Sequence, residues 1–477
     1  MKPKLVPLSQ EREFHLHELF FSTTDKKGRI QAGNHVFARV SGYELSAIIG
    51  QPHNLVRHPD MPRAVFKLLW DYLKANASMV AYVKNLASDG RYYWVVALVT
   101  PLSEGYLSVR FKPSSALFPE VRTLYQELVE QENNMLRAGR HPKEAMQLAS
   151  EKLLSVLQAK GFADYNDFMH LMLREELKSR EQLLQQQRQV EAPTSLLQQR
   201  HRTPAHESAE RLFRLLAQSE TIAKTLAQLF AKLDDFVTLG DKLEGKVEFI
   251  SELARSMRVL SLNTGIASAH LVVEREVLTS IANLMGENSK YLTTNVEKMG
   301  EHLLRVSQFL KGVAYHLAVA RLQLEMLQAF LHELLHQRDS LASAQPDQFA
   351  LVPCIMQLQT SFRQAYQQVV ASFQQIEGNL QNLAREGTEL QRSVQTLQFV
   401  HLVGRVEISR RTQLAGLGKI MEEVFGKIQN MRDLLKDLTE AVAYLFREVY
   451  AIGAIDRRVS NSLQAMQTDA RWLEAAS

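Results

Sequence analysis

Cysteine is almost absent from this chain of 477 residues, since Cys354 is its only one. A single cysteine excludes an intrachain disulfide, and no paired-cysteine metal motif surrounds it. We therefore expect Cys354 to be a small buried hydrophobic residue. So little cysteine also fits a protein of a reducing compartment.

Long apolar runs are missing as well. No stretch reaches the about 18 consecutive apolar residues that would indicate a membrane-spanning helix. Residues 1–20 lack the apolar core and the small-residue cleavage site of a secretory signal. We expect a cytoplasmic protein without a membrane span.

The sequence also lacks a large excess of charge and the common catalytic motifs. The formal net charge is only +4, which does not favour a nucleic-acid partner. The sequence contains no Walker phosphate loop, no dinucleotide fingerprint and no HExxH zinc motif. We therefore expect that the protein is not an enzyme.

Residues 19–113 carry the pattern of a small α+β domain. Five short segments rich in β-forming residues and bounded by turn residues predict an antiparallel sheet; they lie at 19–25, 28–32, 79–87, 91–102 and 106–113. Asn34 is suited to cap a short helix after the second strand. The stretch "MPRAVFKLLWDYLKAN" has a helical apolar stripe that includes Phe66 and Trp70.

The rest of the chain is predicted to be helical. The domain bounds that we expect are an N-terminal segment (1–18), the α+β domain (19–113), a helical connector (114–182), a Gln- and Pro-rich linker (183–209) and a helical bundle or coiled coil (210–477). The connector should break at "GRHP" (139–142).

Two regular apolar seams distinguish the last segment. Their spacing alternates between three and four residues, as in coiled coils. The first comprises Leu303, Val306, Leu310, Val313, Leu317, Ala320, Leu324, Leu327, Leu331 and Leu334, and the second Phe373, Ile376, Leu380, Leu383, Gly387, Leu390, Val394 and Leu397. Pro346 between them predicts an antiparallel hairpin. Such seams need partners from the same chain or a second copy, and we expect a homodimer.

The stretch "GQPHNLVRHPDMP" (50–62) has two interpretations. In one, Asp60 caps the following helix and Pro62 lies in its first turn. In the other, Arg57 and His58 face a pocket under the sheet, where a guanidinium would hold a phosphate or an adenine edge. Trp70 would then stack on a flat ring, and Asn85 would hydrogen-bond to the polar edges of that ring.

Three stretches closely resemble the PAS domain of bacterial aerotaxis receptors: "FFSTTDKKGRIQAGNHVFARVSGY", "GQPHNLVRHPDMPRAVFKLLW" and "VKNLASDGRYYWVVALVTPL". The resemblance runs from about Phe20 to Phe111 and implies redox sensing through FAD. It implies cofactor-binding roles for Asn34, Arg57, His58, Asp60, Phe66, Trp70 and Asn85. Related PAS domains bind haem instead, and His53 or His58 would then be its axial ligand.

One departure from this family lies before the "VKN" strand. The family usually has an aromatic "PW" element there, whereas this chain has Ser78 and Met79. The shape of the pocket is therefore expected to differ.

A second resemblance lies in "ISELARSMRVLSLNTGIASAHL" (250–271), which is similar to a degenerate chemoreceptor signalling tip. That tip binds a histidine kinase and its coupling protein. Leu262, Asn263 and Ile266 match it, but Ala267 and His270 replace its glutamate and arginine. The following "LVVEREVL" (271–278) favours continuation of the helix, and "FVHLVGRVEISRR" (399–411) is a second echo of the tip. A bundle helix rich in small residues remains an alternative for both.

Two functions are consistent with these patterns. The leading hypothesis is a soluble PAS-containing signal transducer that senses a redox or oxygen-linked state and passes it through a helical bundle to the chemotaxis kinase and coupling protein. The alternative is a ligand-free PAS docking module on a helical scaffold or dimerisation protein.

Overall fold

The N-terminal part of the molecule is built around an antiparallel sheet. The computed structural model describes residues 6–190, 207–269, 275–340, 352–409 and 415–475. The strands are β1 (Phe20–Asp25), β2 (Ile30–Gly33), β3 (Met79–Leu86), β4 (Tyr92–Pro101) and β5 (Gly105–Phe111). They pair in the order β2-β1-β5-β4-β3. The predicted α+β domain with an antiparallel sheet is confirmed.

Short helices cover one face of this sheet, which we call the inner face. They are α1 (His35–Ser41), α2 (Leu45–Ile48), a 3-10 turn (His53–Val56) and α3 (Arg63–Lys74). Phe37 of α1 stacks on Phe20 of β1, with 6.3 Å between the ring centres. Strand alternation and register place Ser22, Asn85, Tyr93 and Arg110 on the same face as Phe20.

Helices from outside the sheet domain cover the other face. They are α4 (Leu117–Arg137) and α6 (Tyr165–Val190); α5 (Pro142–Ala159) between them packs on α3 and α4, and the break between α4 and α5 falls at "GRHP" as predicted. Phe118 of α4 packs on Tyr82 and Trp94, each with 5.3 Å between ring centres. Helix α6 continues to Val190, so the segment predicted as a linker from residue 183 begins as helix.

Four long helices make up most of the remaining chain: α7 (Glu207–Ala269), α8 (Arg275–Ser340), α9 (Val352–Ser409) and α10 (Ala415–Ala475). Each contributes to two compact units. The first unit contains residues 1–228, 314–368 and 458–477, and the second contains 229–313 and 369–457.

In the second unit the four helices form a closed antiparallel bundle. Side-chain contacts join each neighbouring pair: Lys246 Nζ to Asp437 Oδ2 at 2.6 Å, His302 Nδ1 to Asn379 Oδ1 at 3.2 Å, Gln391 Nε2 to Thr439 Oγ1 at 3.1 Å, and Gly300 against Val247. In each neighbouring pair, residues further along one helix contact residues earlier in the other helix. Neighbouring helices are therefore antiparallel. Helix was expected through 271–278, and residues 275–278 are helical because α8 begins at Arg275. Residues 270–274 lie outside the described part.

The chain itself supplies partners for the predicted seams. All seam residues are buried except Leu334, which is half-buried. Because α7 and α10 complete the bundle, the seams no longer require a second copy. The homodimer stays a prediction.

Two expectations from composition can be compared with the described residues. Cys354 is buried in α9, and burial raises the pKa of its thiol to about 12. This agrees with its interpretation as a small hydrophobic residue. No helix in the described ranges is both long and apolar enough to cross a membrane.

Candidate functional site

The stretch 50–62 leads into α3 by a route that differs from the prediction. Pro62 occupies the N-cap position of α3 and offers no side-chain acceptor. Asp60 instead forms an ion pair with Lys84, with 2.8 Å between Oδ2 and Nζ. The prediction that Asp60 caps α3 is therefore wrong, because its carboxylate pairs with Lys84 on β3 and Pro62 holds the N-cap position.

A glutamate of α4 caps α3 in place of Asp60. The backbone N–H groups of Arg63 and Ala64 each donate to one carboxylate oxygen of Glu132, both at 2.9 Å. The Glu132 side chain is buried, with 3% exposure. A carboxylate suits this place because first-turn N–H groups lack intrahelical acceptors and the helix N-terminus favours negative charge.

Four of the predicted site residues line one cavity of about 750 Å³ between α3 and the helices α4 and α5; they are Arg57, Asp60, Phe66 and Trp70. The guanidinium of Arg57 lies 4.1 Å above the Phe66 ring and donates to the Met61 carbonyl at 3.1 Å. Burial lowers the pKa of Arg57, Arg63 lowers it further and Glu132 opposes the shift. The structure thus brings these four residues together.

Trp70 combines exposure with fixed contacts at the edge of this cavity. Its side chain is 38% exposed and meets the Tyr106 ring edge-to-face, with 5.6 Å between centres. It also packs over Gly28, whose φ of +75° makes the turn between β1 and β2. Such a rigid, half-open indole provides a surface for stacking on a flat ring.

His58 lies on the other side of Asp60. Its Nδ1 accepts the Asp60 N–H at 3.1 Å, and its ring meets Tyr92 edge-to-face. Burial and, to a lesser extent, Lys84 lower its pKa to about 4, while Asp60 opposes the shift. His58 is therefore neutral at pH 7, and it lines a second cavity of about 760 Å³ together with Asp60 and residues of α4.

Asn34 caps α1 as predicted. Its Oδ1 accepts the N–H groups of Phe37 and Phe21 at 3.3 and 3.2 Å, and its Nδ2 donates to the Leu19 carbonyl and to Glu333 of α8, both at 3.2 Å. Glu333 also accepts the N–H of His35 at 2.8 Å. These bonds occupy the amide of Asn34, so it positions α1.

Asn85 lies on the inner face of the sheet, directly across from Tyr93 of β4. Its side chain is buried, and its backbone pairs with that of Arg57 in an isolated bridge. This bridge joins the stretch 50–62 to β3 and places Asn85 beside the sheet interior.

Sequence reasoning missed a buried arginine in the interior. Arg110 of β5 is 3% exposed, donates to Ser22 Oγ at 3.0 Å, and lies 2.7 Å from Nε2 of His53. Burial lowers its pKa to about 10, and no carboxylate of the described residues forms an ion pair with it. Alternation in "YLSVRF" separates Arg110 from Leu107, Val109 and Phe111, and its pairing with Phe20 of β1 places it on the inner face.

Some hydroxyl groups of the interior lack partners in the described part of the chain, among them that of Tyr93 on the inner face. The hydroxyls of Ser108, which shares the inner face with Arg110, and of Tyr43 are buried without a hydrogen bond among the described residues. Burial and Arg110 lower the pKa of His53 to about 3, so its ring is neutral and its Nε2 accepts. The guanidinium of Arg110 lies 6.0 and 5.5 Å from the centres of the Phe20 and Phe37 rings, so a cation, aromatic rings and unbonded hydroxyls occur together in this interior.

A metal centre has no comparable support in the described residues. They contain no cluster of three or more His, Cys, Asp or Glu side chains able to hold an ion. Nε2 of His53 and Nδ1 of His58 are both in hydrogen bonds. The haem alternative stays a prediction.

Comparison with known proteins agrees with this geometry. The family described as "PAS fold" matches residues 32–107. The aerotaxis receptor of Escherichia coli K12 is 41% identical over 112 residues, which cover 22% of this chain and 22% of that receptor. The sheet domain is therefore a PAS domain, and the predicted resemblance is confirmed. The match spans about a fifth of the receptor's length.

Solved structures also share similarity with the PAS domain. One is a PAS domain from Colwellia psychrerythraea, 20% identical, with a TM-score of 0.19 over 20% of this chain and 85% of that chain. Another is a light-oxygen-voltage domain studied with a flavin analogue, 18% identical, with a TM-score of 0.21 over 23% of this chain and 87% of that chain.

Proposed function

We propose that the PAS domain binds FAD and that the helices around it pass the state of this cofactor to a partner protein. The observation that carries the proposal is the buried guanidinium of Arg110, which has no carboxylate partner among the described residues. A charged group is costly to bury without a counter-charge. A ligand with an electron-rich edge would offset this cost.

The residues that would hold FAD come from two places: Arg110 and Asn85 lie on the inner face of the sheet, and Arg57 and Trp70 line the cavity of about 750 Å³. Arg110 would donate to the polar edge of the ring, and Asn85 would hydrogen-bond to it from β3. Trp70 and Arg57, which line one cavity, would stack on its flat parts or pair with its phosphates. When bound, FAD supplies reversible electron transfer.

Glutamates from three helices outside the sheet supply a physical connection from the PAS domain. Glu132 of α4 caps α3, and Glu333 of α8 bonds at the start of α1. Glu176 of α6 accepts the N–H groups of Ser114 and Ser115 after β5. A change in the sheet or its covering helices would reach α4, α6 and α8 through these bonds.

The chemotaxis histidine kinase and its coupling protein are the partners that we propose. Similarity of the PAS domain to an aerotaxis receptor supports this choice. Leu262 and Ile266, which match the signalling tip, are each 60% exposed and are therefore open to contact. A cytoplasmic location follows from this proposal.

A ligand-free docking module remains the second candidate because of Met79. This residue stands where the family has an aromatic element, and its side chain is fully buried on the inner face, across from Val99. A methionine at this point fills interior space that a ligand would otherwise use.

Titration with FAD separates the two candidates. We expect the full chain to bind FAD, measured by equilibrium dialysis, and Trp70→Ala to weaken binding about fivefold or more, since stacking on an indole contributes about 1 kcal/mol or more. Tyr72→Phe is the matched control, because it removes a hydroxyl of α3 that bonds to Asn166. Absence of FAD binding to the unsubstituted protein would leave the docking module as the function.

A further inference from the structure

We infer that Glu132 is a positioning residue that couples α4 to α3, and that α3 forms one wall of the cavity of about 750 Å³. Helix α3 supplies that wall with Phe66 and Trp70, and Glu132 holds the start of this helix. The inference rests on the proposed function for the identity of the ligand. The coupling of the two helices follows from contacts between residues of this chain.

The bond between the two helices is bidentate. One carboxylate oxygen of Glu132 accepts from Arg63 and the other from Ala64, each at 2.9 Å. Two parallel bonds to successive N–H groups fix the direction of α3 as well as its distance. A displacement of α3 by a fraction of a turn would break at least one of them.

No acceptor within the PAS domain replaces Glu132 in the described structure. Pro62 has no polar side chain, and Asp60 is paired with Lys84. Glu132 lies 69 residues from Arg63 in sequence and outside the matched PAS region. A helix cap that serves only stability is normally supplied by a neighbouring residue, so this distant cap also ties two elements together.

Glu132 also lies beside residues that we propose to bind the ligand. It lines the cavity of about 750 Å³ together with Arg57, Phe66 and Trp70, and its charge acts on the Arg57 guanidinium. Helix α4 is packed on the opposite face of the sheet through Phe118. It is therefore held at one point by the sheet and at another by α3.

Such an arrangement makes α4 respond to what occupies the cavity. A ligand that shifts α3 relative to the sheet must either carry α4 with it or break the bonds to Glu132. Coupling of this kind is reciprocal, so loosening the bond should weaken the response of α4 to the ligand.

Hydrogen exchange of the full chain, with and without FAD, tests the inference through Glu132→Gln. Glutamine keeps the size of the side chain but removes its charge and one acceptor oxygen. We expect the amides of Arg63 and Ala64 to exchange about tenfold faster in the variant. In the unsubstituted protein, FAD should slow exchange at β3, β4 and residues 128–137; in Glu132→Gln it should slow only the strands.

Glu130→Gln is the matched control, because Glu130 is an exposed residue of the same helix. It should behave as the unsubstituted protein. Undiminished slowing of residues 128–137 by FAD in Glu132→Gln would overturn the inference. So would loss of that slowing in Glu130→Gln.

Failure of the proposed function would be visible separately. If FAD neither binds to nor protects the unsubstituted protein, the coupling is tested without ligand. Exchange in Glu132→Gln is then compared with exchange in the unsubstituted protein. Faster exchange in both α3 and residues 128–137 of Glu132→Gln would sustain the coupling. Faster exchange in α3 alone would overturn it and leave Glu132 as a cap.

Discussion

Arg110 places a guanidinium inside the PAS domain, with Ser22 and His53 as neutral hydrogen-bond partners. Removing a cation from water costs several kcal/mol, only part of which is returned by hydrogen bonds to neutral groups. The ligand-free domain therefore retains an energetic cost that a bound electron-rich group would reduce. This cost distinguishes a binding residue from one that only stabilises the fold.

Arg110→Met tests this distinction by stability. We expect the free energy of unfolding without ligand to rise by about 1 kcal/mol, since the buried charge is removed. The stabilisation by added FAD should fall or vanish. Both quantities follow from urea unfolding of the full-length protein.

Arg122→Met is the control for this prediction, because Arg122 is exposed on α4 and its replacement should change stability by less than about 0.5 kcal/mol. Lower stability of Arg110→Met without ligand, with full stabilisation by FAD, would assign Arg110 to the fold alone.

At the scale of elements, the helices outside the sheet are attached by carboxylates. Glu176 of α6 is fully buried and accepts from the Tyr82 hydroxyl at 2.6 Å as well as from Ser115 Oγ at 2.8 Å. Its other oxygen accepts the backbone N–H groups of Ser114 and Ser115. One side chain thus joins β3, the end of β5 and α6.

Glu176→Gln should destabilise the protein by about 2 to 4 kcal/mol, because the amide NH₂ would face donors that now bond to an oxygen. The midpoint of urea unfolding measures the change. Glu175→Gln, at the half-buried neighbouring position, should cost less than about 0.5 kcal/mol. Equal effects of the two substitutions would show that the bonds of Glu176 are not what holds α6.

Periodicity in the sequence predicted the elements but not their attachments. The strands, the cap at Asn34 and the apolar seams depend on residues close together in the chain, so local pattern identifies them. Glu132, Glu176 and Glu333 act across long separations and resemble ordinary helix-surface glutamates. Asp60 was misassigned for the same reason, since its partner Lys84 is on another element.

For the candidate site, local reasoning found only part of the set. Arg57 and Trp70 were proposed from the chemistry of their side chains and Phe66 from the family resemblance, and the structure brings all three to one cavity. Arg110 was missed because a single arginine in a strand does not show which face is enclosed. Its position became informative only once register placed it across from Phe20 and Ala97.

At the scale of the whole molecule, a PAS domain is combined with helices that form a closed antiparallel bundle in the second unit. The apolar seams of α8 and α9 are filled by residues of the same chain. The proposed signal therefore does not require a second copy to complete the bundle. The first unit contains both the PAS domain and the parts of α8 that contact it.

The visible absorption spectrum of the full-length protein after incubation with FAD and removal of unbound cofactor tests the central claim most directly. We predict flavin absorption bands in the oxidised sample and their loss on reduction with dithionite. Reduction should also alter exchange in residues 128–137, as the coupling through Glu132 requires. A colourless protein, unchanged by dithionite, would contradict the account.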